Sequence, residues 1–160
     1  MVYIKDLLRK GKISKIKEFE LDRYKNFLES SYKNNIRHSK ANLINFPRWS
    51  IISGYYSMHD ITKLFLAIKF KVKIEKEVHA TAIILFKELV KDKELSNLIN
   101  IGYKEFLSLV QDLEEAKKER VKVQYYTNTE YLYQEYKKRA EDFYNRYSLN
   151  FITKIEKLLK

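Results

Sequence analysis

Four residues that can carry charge or exchange a proton lie inside apolar helical runs of this sequence. His59, Asp60 and Lys63 follow the tyrosine pair Tyr55–Tyr56 within one run, and His79 opens the next run. Polar groups among core residues are costly unless they are paired or used. We therefore look for function at these positions first.

A second polar group lies late in the chain, where Arg120 continues an apolar row and Gln124 follows one turn later. A guanidinium turned toward a cleft can bind phosphate through two hydrogen bonds, and the amide can contact a base edge or a ribose. Alternatively, Arg120 lies at the end of the apolar row and extends into water. The tyrosines that are candidates for stacking on bases are Tyr125, Tyr126, Tyr131 and Tyr133.

The histidines permit two interpretations. His59 and Asp60 form either a buried hydrogen-bonded pair that fixes core geometry or part of a pocket shared with Arg120, which an Asp60–Arg120 ion pair would test. His79 is expected to make a structural hydrogen bond. His59 and His79 supply at most half of a zinc site, and no helix carries the carboxylate and Glu-x-x-His ligands of di-metal bundles. We expect neither a metal nor a cofactor.

Composition predicts a helical protein. The chain has 160 residues, with only three glycines and one proline to form the tight turns that a β-rich fold needs. It has no cysteine, which excludes disulfides and thiolate metal sites. Residues 1–6 hold no signal-peptide core, and no apolar run reaches the roughly 20 residues that span a bilayer. We expect a cytoplasmic protein without a membrane partner.

The chain is strongly basic, with 32 Lys and Arg against 21 Asp and Glu and a formal charge of +11. Residues 1–47 hold 11 basic and 5 acidic residues, and thus supply +6 of that charge. Such an excess favours polyanions, nucleic acid first and an acidic protein second. The alternative is a lysine-rich surface of the kind common in AT-biased proteomes.

The polar residues must be positioned by long amphipathic helices. Apolar residues recur at three- and four-residue steps, and they predict an all-α, up-and-down bundle of four long helices plus shorter ones. Residues 1–19 are predicted to be a basic arm or short helix outside the core, before a bundle of residues 20–160. Residues 70–75 alternate like a strand but have no evident partner, so we expect an extended basic connector. The predicted helices cover about 20–44, 48–70, 76–90, 103–126 and 128–158, with a short turn at 95–99 before Gly102.

In order and spacing, residues 20–158 resemble the HEPN family (higher eukaryote and prokaryote nucleotide-binding domains). Members commonly carry Tyr-Tyr-x-Met-aromatic-His-x-x-Lys-x-Leu-Leu on the second long helix. They often follow it with His-x-x-x-Ile-x-x-Phe, a late Arg-x-x-x-polar-Tyr and an aromatic-rich last helix. Here the four pieces match residues 55–66, 79–86, 120–125 and 131–158.

The sequence departs from the family pattern at two points. Without a gap, His59 takes the aromatic position and Asp60 takes the histidine. Ribonuclease members use an Arg followed four to six residues later by His, whereas Arg120 is followed by Gln124 and tyrosines. Metal-free RNA cleavage needs a proton acceptor near neutral pH; an amide cannot serve, and tyrosine, with a pKa near ~10, is a poor base.

The resemblance therefore implies a homodimeric, non-catalytic module that binds RNA or a nucleotide. It further implies a separate small nucleotidyltransferase as partner, in a toxin–antitoxin-like system. Two alternatives stay open. One is a metal-independent ribonuclease with an altered motif centred on Arg120, and the other is a purely structural helical subunit.

Overall fold

The structure is a computed structural model that describes the backbone of residues 2–120 and 129–160 and the side chains of residues 4–111 and 133–160. Helices dominate the described ranges, which confirms the predicted all-α helical bundle. The elements, in chain order, are α1 (Val2–Arg9), β1 (Ile13–Lys15), α2 (Glu18–Ala41), α3 (Pro47–Phe70), β2 (Val72–Ile74), α4 (Val78–Val90), α5 (Lys93–Arg120), α6 (Thr129–Asp142), a π-helical segment (Phe143–Ser148) and α7 (Leu149–Leu159).

Helix α3 is the centre of the bundle and packs against α2, α4, α5, α6 and α7. Its near-continuous apolar surface is buried on most sides, as the sequence predicted for a central helix. Pro47 starts it, because proline fits the first helical turn. Lys71, in a left-handed conformation with φ 55°, ends it. The largest buried side chains around α3 are Tyr55, Phe86, Phe143 and Phe151.

Gly54 allows the close approach of α3 to the π-helical segment. A Cβ atom at this position would lie 2.8 Å from Ser148 Oγ and 3.1 Å from Phe143 Cε1. Such distances leave no room for a methyl group unless a neighbour shifts. The last helical region thus packs directly against the middle of α3.

The N-terminal segment contains the predicted short helix, α1, but packs into a second, smaller core instead of lying outside the core. The prediction of an unpaired connector at residues 70–75 is wrong. Strands β1 and β2 pair antiparallel, with Ile13 opposite Ile74. Leu7 and Ile13 are buried together with Leu66 of α3 and Leu85 of α4. The alternation of residues 70–75 was a genuine strand signal, but its partner lies almost 60 residues earlier in the chain.

Helix α5 is continuous where the sequence predicted a short turn and a new helix. Asp92 Oδ1 accepts a hydrogen bond from the Leu95 backbone N–H, and the helix runs from Lys93 through Gly102. A Cβ atom on Gly102 would lie 3.1 Å from Met58 Sδ of α3. This glycine marks close helix packing rather than a helix end. Within the described ranges, no helix combines the length and hydropathy of a transmembrane segment.

Candidate functional site

Polar side chains from three helices gather around the middle of α3. We call this group the polar centre and define it by Ser31, Asn35, His59, Asp60, Lys63 and His79. Four-residue steps place Tyr55, His59 and Lys63 on one face of α3. Ser31 and Asn35 come from α2, and His79 comes from the first turn of α4. Three helices thus converge on the positions that the sequence singled out.

Asp60 is a buried carboxylate with several partners. Its side chain accepts hydrogen bonds at Oδ2 from Ser31 Oγ (2.6 Å) and Asn35 Nδ2 (3.2 Å), and Lys63 Nζ lies 3.8 Å from Oδ1. Burial opposes ionisation, but the His59 imidazole, the Ser31 hydroxyl and the Lys63 ammonium outweigh it and lower the pKa of Asp60. The carboxylate therefore stays ionised and accepts hydrogen bonds from Ser31 and Asn35.

His59 is a buried imidazole beside Asp60. It is only 4% exposed, and within the described part of the chain neither ring nitrogen has a hydrogen-bond partner. Its Nδ1 lies 3.7 Å from Asp60 Oδ1, which suits attraction when the ring is protonated but is too long for a hydrogen bond. The two side chains are buried side by side, as predicted, but at 3.7 Å they do not form a direct hydrogen bond. Leaving buried polar atoms unpaired costs about 1–3 kcal/mol.

His79 lies beside His59, with 4.6 Å between the ring centroids. Its Nδ1 is 2.8 Å from the Tyr55 hydroxyl, and this hydrogen bond has the structural character that the sequence led us to expect. Burial, followed by the nearby His59 and Lys63, lowers the pKa of His79, and Asp60 opposes the shift. Because His79 is half-buried, it forms part of the accessible edge of the polar centre.

An aromatic wall borders the polar centre. The Tyr55 ring stacks on Phe106 of α5 at 4.8 Å, and Tyr56, which is partly exposed, meets the same ring edge-on. Burial raises the pKa of the Tyr55 hydroxyl, so this group stays neutral. Tyr103 of α5 lies nearly parallel to His79. The two imidazoles are thus surrounded by apolar rings on the α5 side.

Sequence reasoning identified His59, Asp60, Lys63 and His79, which the structure brings together. It missed the roles of Ser31 and Asn35, although both stand in the apolar row of α2. A serine and an asparagine four residues apart on a buried face were the available signal.

The predicted site residues between positions 112 and 132 fall outside the described side chains. Arg120 is the last residue of α5, and its side chain is not among those described. Gln124, Tyr125 and Tyr126 lie outside the described residues altogether, as does the side chain of Tyr131. The Asp60–Arg120 ion pair therefore stays a prediction. Tyr133 is described: its hydroxyl donates a hydrogen bond to the Ile44 carbonyl (2.6 Å).

The polar centre can bind an anionic, hydrogen-bonding ligand. Lys63 offers a cation, and the two imidazoles offer donors and acceptors. Within the described residues, no three His, Asp or Glu side chains are grouped so as to hold a metal ion. No protein-family model matches the chain, and neither a curated protein nor a solved structure is detectably similar to it.

Proposed function

We propose that this protein is a non-catalytic module that binds RNA or a nucleotide, with the polar centre in its binding site. The observation that carries the proposal is His59, a buried imidazole whose two nitrogens have no partner in the described part of the chain. Each unmatched buried group in a native protein calls for an explanation. A phosphate, ribose or base held beside it supplies the missing hydrogen bond.

The surroundings of His59 favour a phosphate-bearing ligand. Lys63 lies one turn further along α3, is partly exposed, and meets Asp60 only at 3.8 Å. Its ammonium can therefore turn toward a phosphate without breaking a short ion pair. The net charge of +11 adds a long-range attraction for polyanions.

The described groups favour binding over catalysis. The lowered pKa of Asp60 makes its carboxylate a weak base, and the raised pKa of Tyr55 keeps its hydroxyl protonated.

The lowered pKa of His79 favours a second candidate, a metal-independent ribonuclease. A neutral imidazole can accept a proton from a ribose 2′-hydroxyl, and Arg120 would then supply the cation for the phosphate.

Binding and its salt dependence test the proposal. Fluorescence anisotropy of a labelled single-stranded RNA is measured over a KCl series. The logarithm of the association constant should fall linearly with the logarithm of the KCl concentration. Lys63→Met should weaken binding and reduce the slope by about one, whereas Lys157→Met, at an exposed site on α7, leaves both nearly unchanged. Absence of binding at low ionic strength would favour the structural-subunit alternative.

A cleavage assay separates the two RNA-directed candidates. The same RNA is incubated with the protein in EDTA and analysed on a denaturing gel. We expect no cleavage. Cleavage that both His79→Ala and Arg120→Ala abolish would replace the binding module with the ribonuclease.

The assembly follows from the family resemblance. We propose a homodimer, supported by the exposed apolar side chains Leu107 and Val110 of α5. We also propose a separate nucleotidyltransferase chain as partner in a toxin–antitoxin-like system. Light scattering of the purified protein tests the dimer, and co-purification with the product of a neighbouring gene tests the second chain.

A further inference from the structure

A second concave surface lies at the start of α3, away from the polar centre. We call it the aromatic groove and define it by Phe46, Arg48, Trp49, Tyr133 and Tyr136, which line a cavity of about 390 Å³ with Asn45 and Pro47. The loop before α3 supplies one side and α6 the other. The hydrogen bond from the Tyr133 hydroxyl to the Ile44 carbonyl ties the two sides together.

Arg48 is held flat in this groove. Its guanidinium carbon lies 4.1 Å from the centroid of the Tyr136 ring, a short cation–π contact. Among the described residues, no carboxylate lies within ion-pair distance of Arg48. Stacking fixes the plane of the guanidinium and leaves its N–H edges for an incoming acceptor. Arginine is suited to bind phosphate in this arrangement.

Two large aromatic side chains next to Arg48 are exposed to solvent. Phe46 and Trp49 are each 59% exposed. Neither contributes much to the core, so their packing does not explain why they are there. Neighbouring exposed apolar groups with a polar rim mark a binding surface. Aromatic rings next to a cation are the features on which single-stranded nucleic acid stacks.

We infer that the aromatic groove binds an unpaired nucleotide of single-stranded RNA, with its base on Trp49 or Phe46 and its phosphate on Arg48. The inference rests on the proposed function and adds a second site to it. Charge does not distinguish RNA from an acidic protein, since both are anionic. The exposed aromatic rings of the groove favour RNA. A base has two flat faces to stack, whereas an acidic side chain has none.

The geometry of α3 connects the groove to the polar centre. Trp49, Tyr56 and Lys63 follow one another at seven-residue intervals, which returns each to nearly the same face of the helix. At a rise of 1.5 Å per residue the line spans about 21 Å. A single strand of RNA lying along this face contacts both sites.

Trp49 provides a direct probe, because it is the only tryptophan of the chain. Titration of the full-length protein with a U-rich RNA oligonucleotide should quench its fluorescence with the same midpoint as RNA anisotropy. Phe46→Ala and Arg48→Ala should each lower the affinity about fivefold or more, and Arg48→Ala should also reduce the salt slope by about one.

The chain offers matched controls on α2. Phe27 is an exposed phenylalanine and Arg23 an exposed arginine in a different groove. Phe27 lies about 21 Å along α2 from its end at Ala41. Phe27→Ala and Arg23→Ala should leave both the quenching and the affinity within about twofold. Equal losses in both pairs would mean that the RNA does not distinguish this groove from the exposed face of α2, and would overturn the groove.

Four further outcomes decide between the proposals. RNA binding without any Trp49 quenching, and with unchanged affinity in Phe46→Ala, overturns the groove but leaves the proposed function intact. No RNA binding by either readout overturns both. If poly-glutamate quenches Trp49 as strongly as RNA does, the groove binds an acidic protein and the inference is overturned. If the Trp49 signal changes with protein concentration in the absence of RNA, the groove binds a second copy of the chain and the inference is likewise overturned.

Discussion

The middle and the start of α3 place aromatic side chains in opposite surroundings. Tyr55 is fully buried, stacks on Phe106 and bonds to His79, whereas Trp49, less than two turns earlier, is 59% exposed. In the middle of the helix, packing determines which residue fits. At its start, the Trp49 ring lies largely in solvent, so packing does not determine its identity. The two regions should therefore respond differently to the same truncation.

The largest effect is expected from Tyr55→Ala. Removal of a fully buried aromatic ring leaves a cavity and a His79 without its partner, which should lower the free energy of unfolding by about 3–5 kcal/mol. Trp49→Ala is the matched change and should alter it by less than about 0.5 kcal/mol. Urea unfolding followed by circular dichroism measures both. Similar losses at the two positions would contradict the contrast between the regions.

Asp60→Ala should have the next largest effect. The substitution leaves Ser31 Oγ, Asn35 Nδ2 and the Lys63 ammonium without their acceptor, at a cost of about 2–3 kcal/mol. Asp60→Asn retains an acceptor oxygen and should recover part of the loss. A variant of the groove that also changes a charge, Arg48→Ala, should be nearly neutral in the same urea assay.

The charge of Asp60 also predicts a pH dependence. Because its folded pKa lies below the ordinary value of 3.8, its stabilisation is complete above that value. It is lost as the pH falls through the lowered folded pKa. Acid unfolding of the wild-type protein should thus include a step below about pH 4 that Asp60→Asn lacks.

Much of the fold was predictable because the dominant signals are local. The periodicity of α3 and the proline before it located that helix to within a residue, at Pro47–Phe70. The pairing of β1 with β2 was missed because register between strands far apart in sequence leaves no local trace. Gly102 was misread for a related reason. Its role is set by Met58 on another helix, which the neighbouring residues do not reveal.

Four of the six residues of the polar centre were predictable, but their hydrogen bonds were not. Helical spacing placed His59, Asp60 and Lys63 together, and His79 was a polar residue at the start of the next apolar run. The sequence could not show that Asp60 bonds to Ser31 of α2, nor that His59 has no hydrogen-bond partner among the described residues. Side-chain partners depend on how two helices are rotated against each other, and the sequence pattern fixes that rotation only coarsely.

A smaller effect of opposite sign is expected from His59→Phe. An apolar ring of similar shape removes two buried nitrogens that have no partner among the described residues, so the free energy of unfolding should rise by about 1 kcal/mol. RNA affinity should fall, because the ligand loses its hydrogen bond. His38→Phe, at an exposed position on α2, is the control and should not stabilise the protein. A stabilised His59→Phe that binds RNA as well as wild type would remove His59 from the binding site.

The smallest expected effect is a pH dependence of stability that arises from His79 in the polar centre and not from the aromatic groove. The folded pKa of His79 lies below the ordinary value of 6.5 because burial, His59 and Lys63 disfavour the imidazolium, with Asp60 opposing them. The unfolded chain therefore takes up a proton at a higher pH than the folded chain. The contribution of His79 to stability is present above pH 6.5 and is lost as the pH falls through the lowered folded pKa.

His79→Gln should flatten this dependence, since glutamine does not titrate and can still bond to the Tyr55 hydroxyl. Thermal unfolding between about pH 8 and about pH 5 compares the slopes. Trp49→Ala at the groove, which removes no titratable group, should retain the wild-type slope. A wild-type slope in His79→Gln would contradict the assignment of this pH dependence to His79.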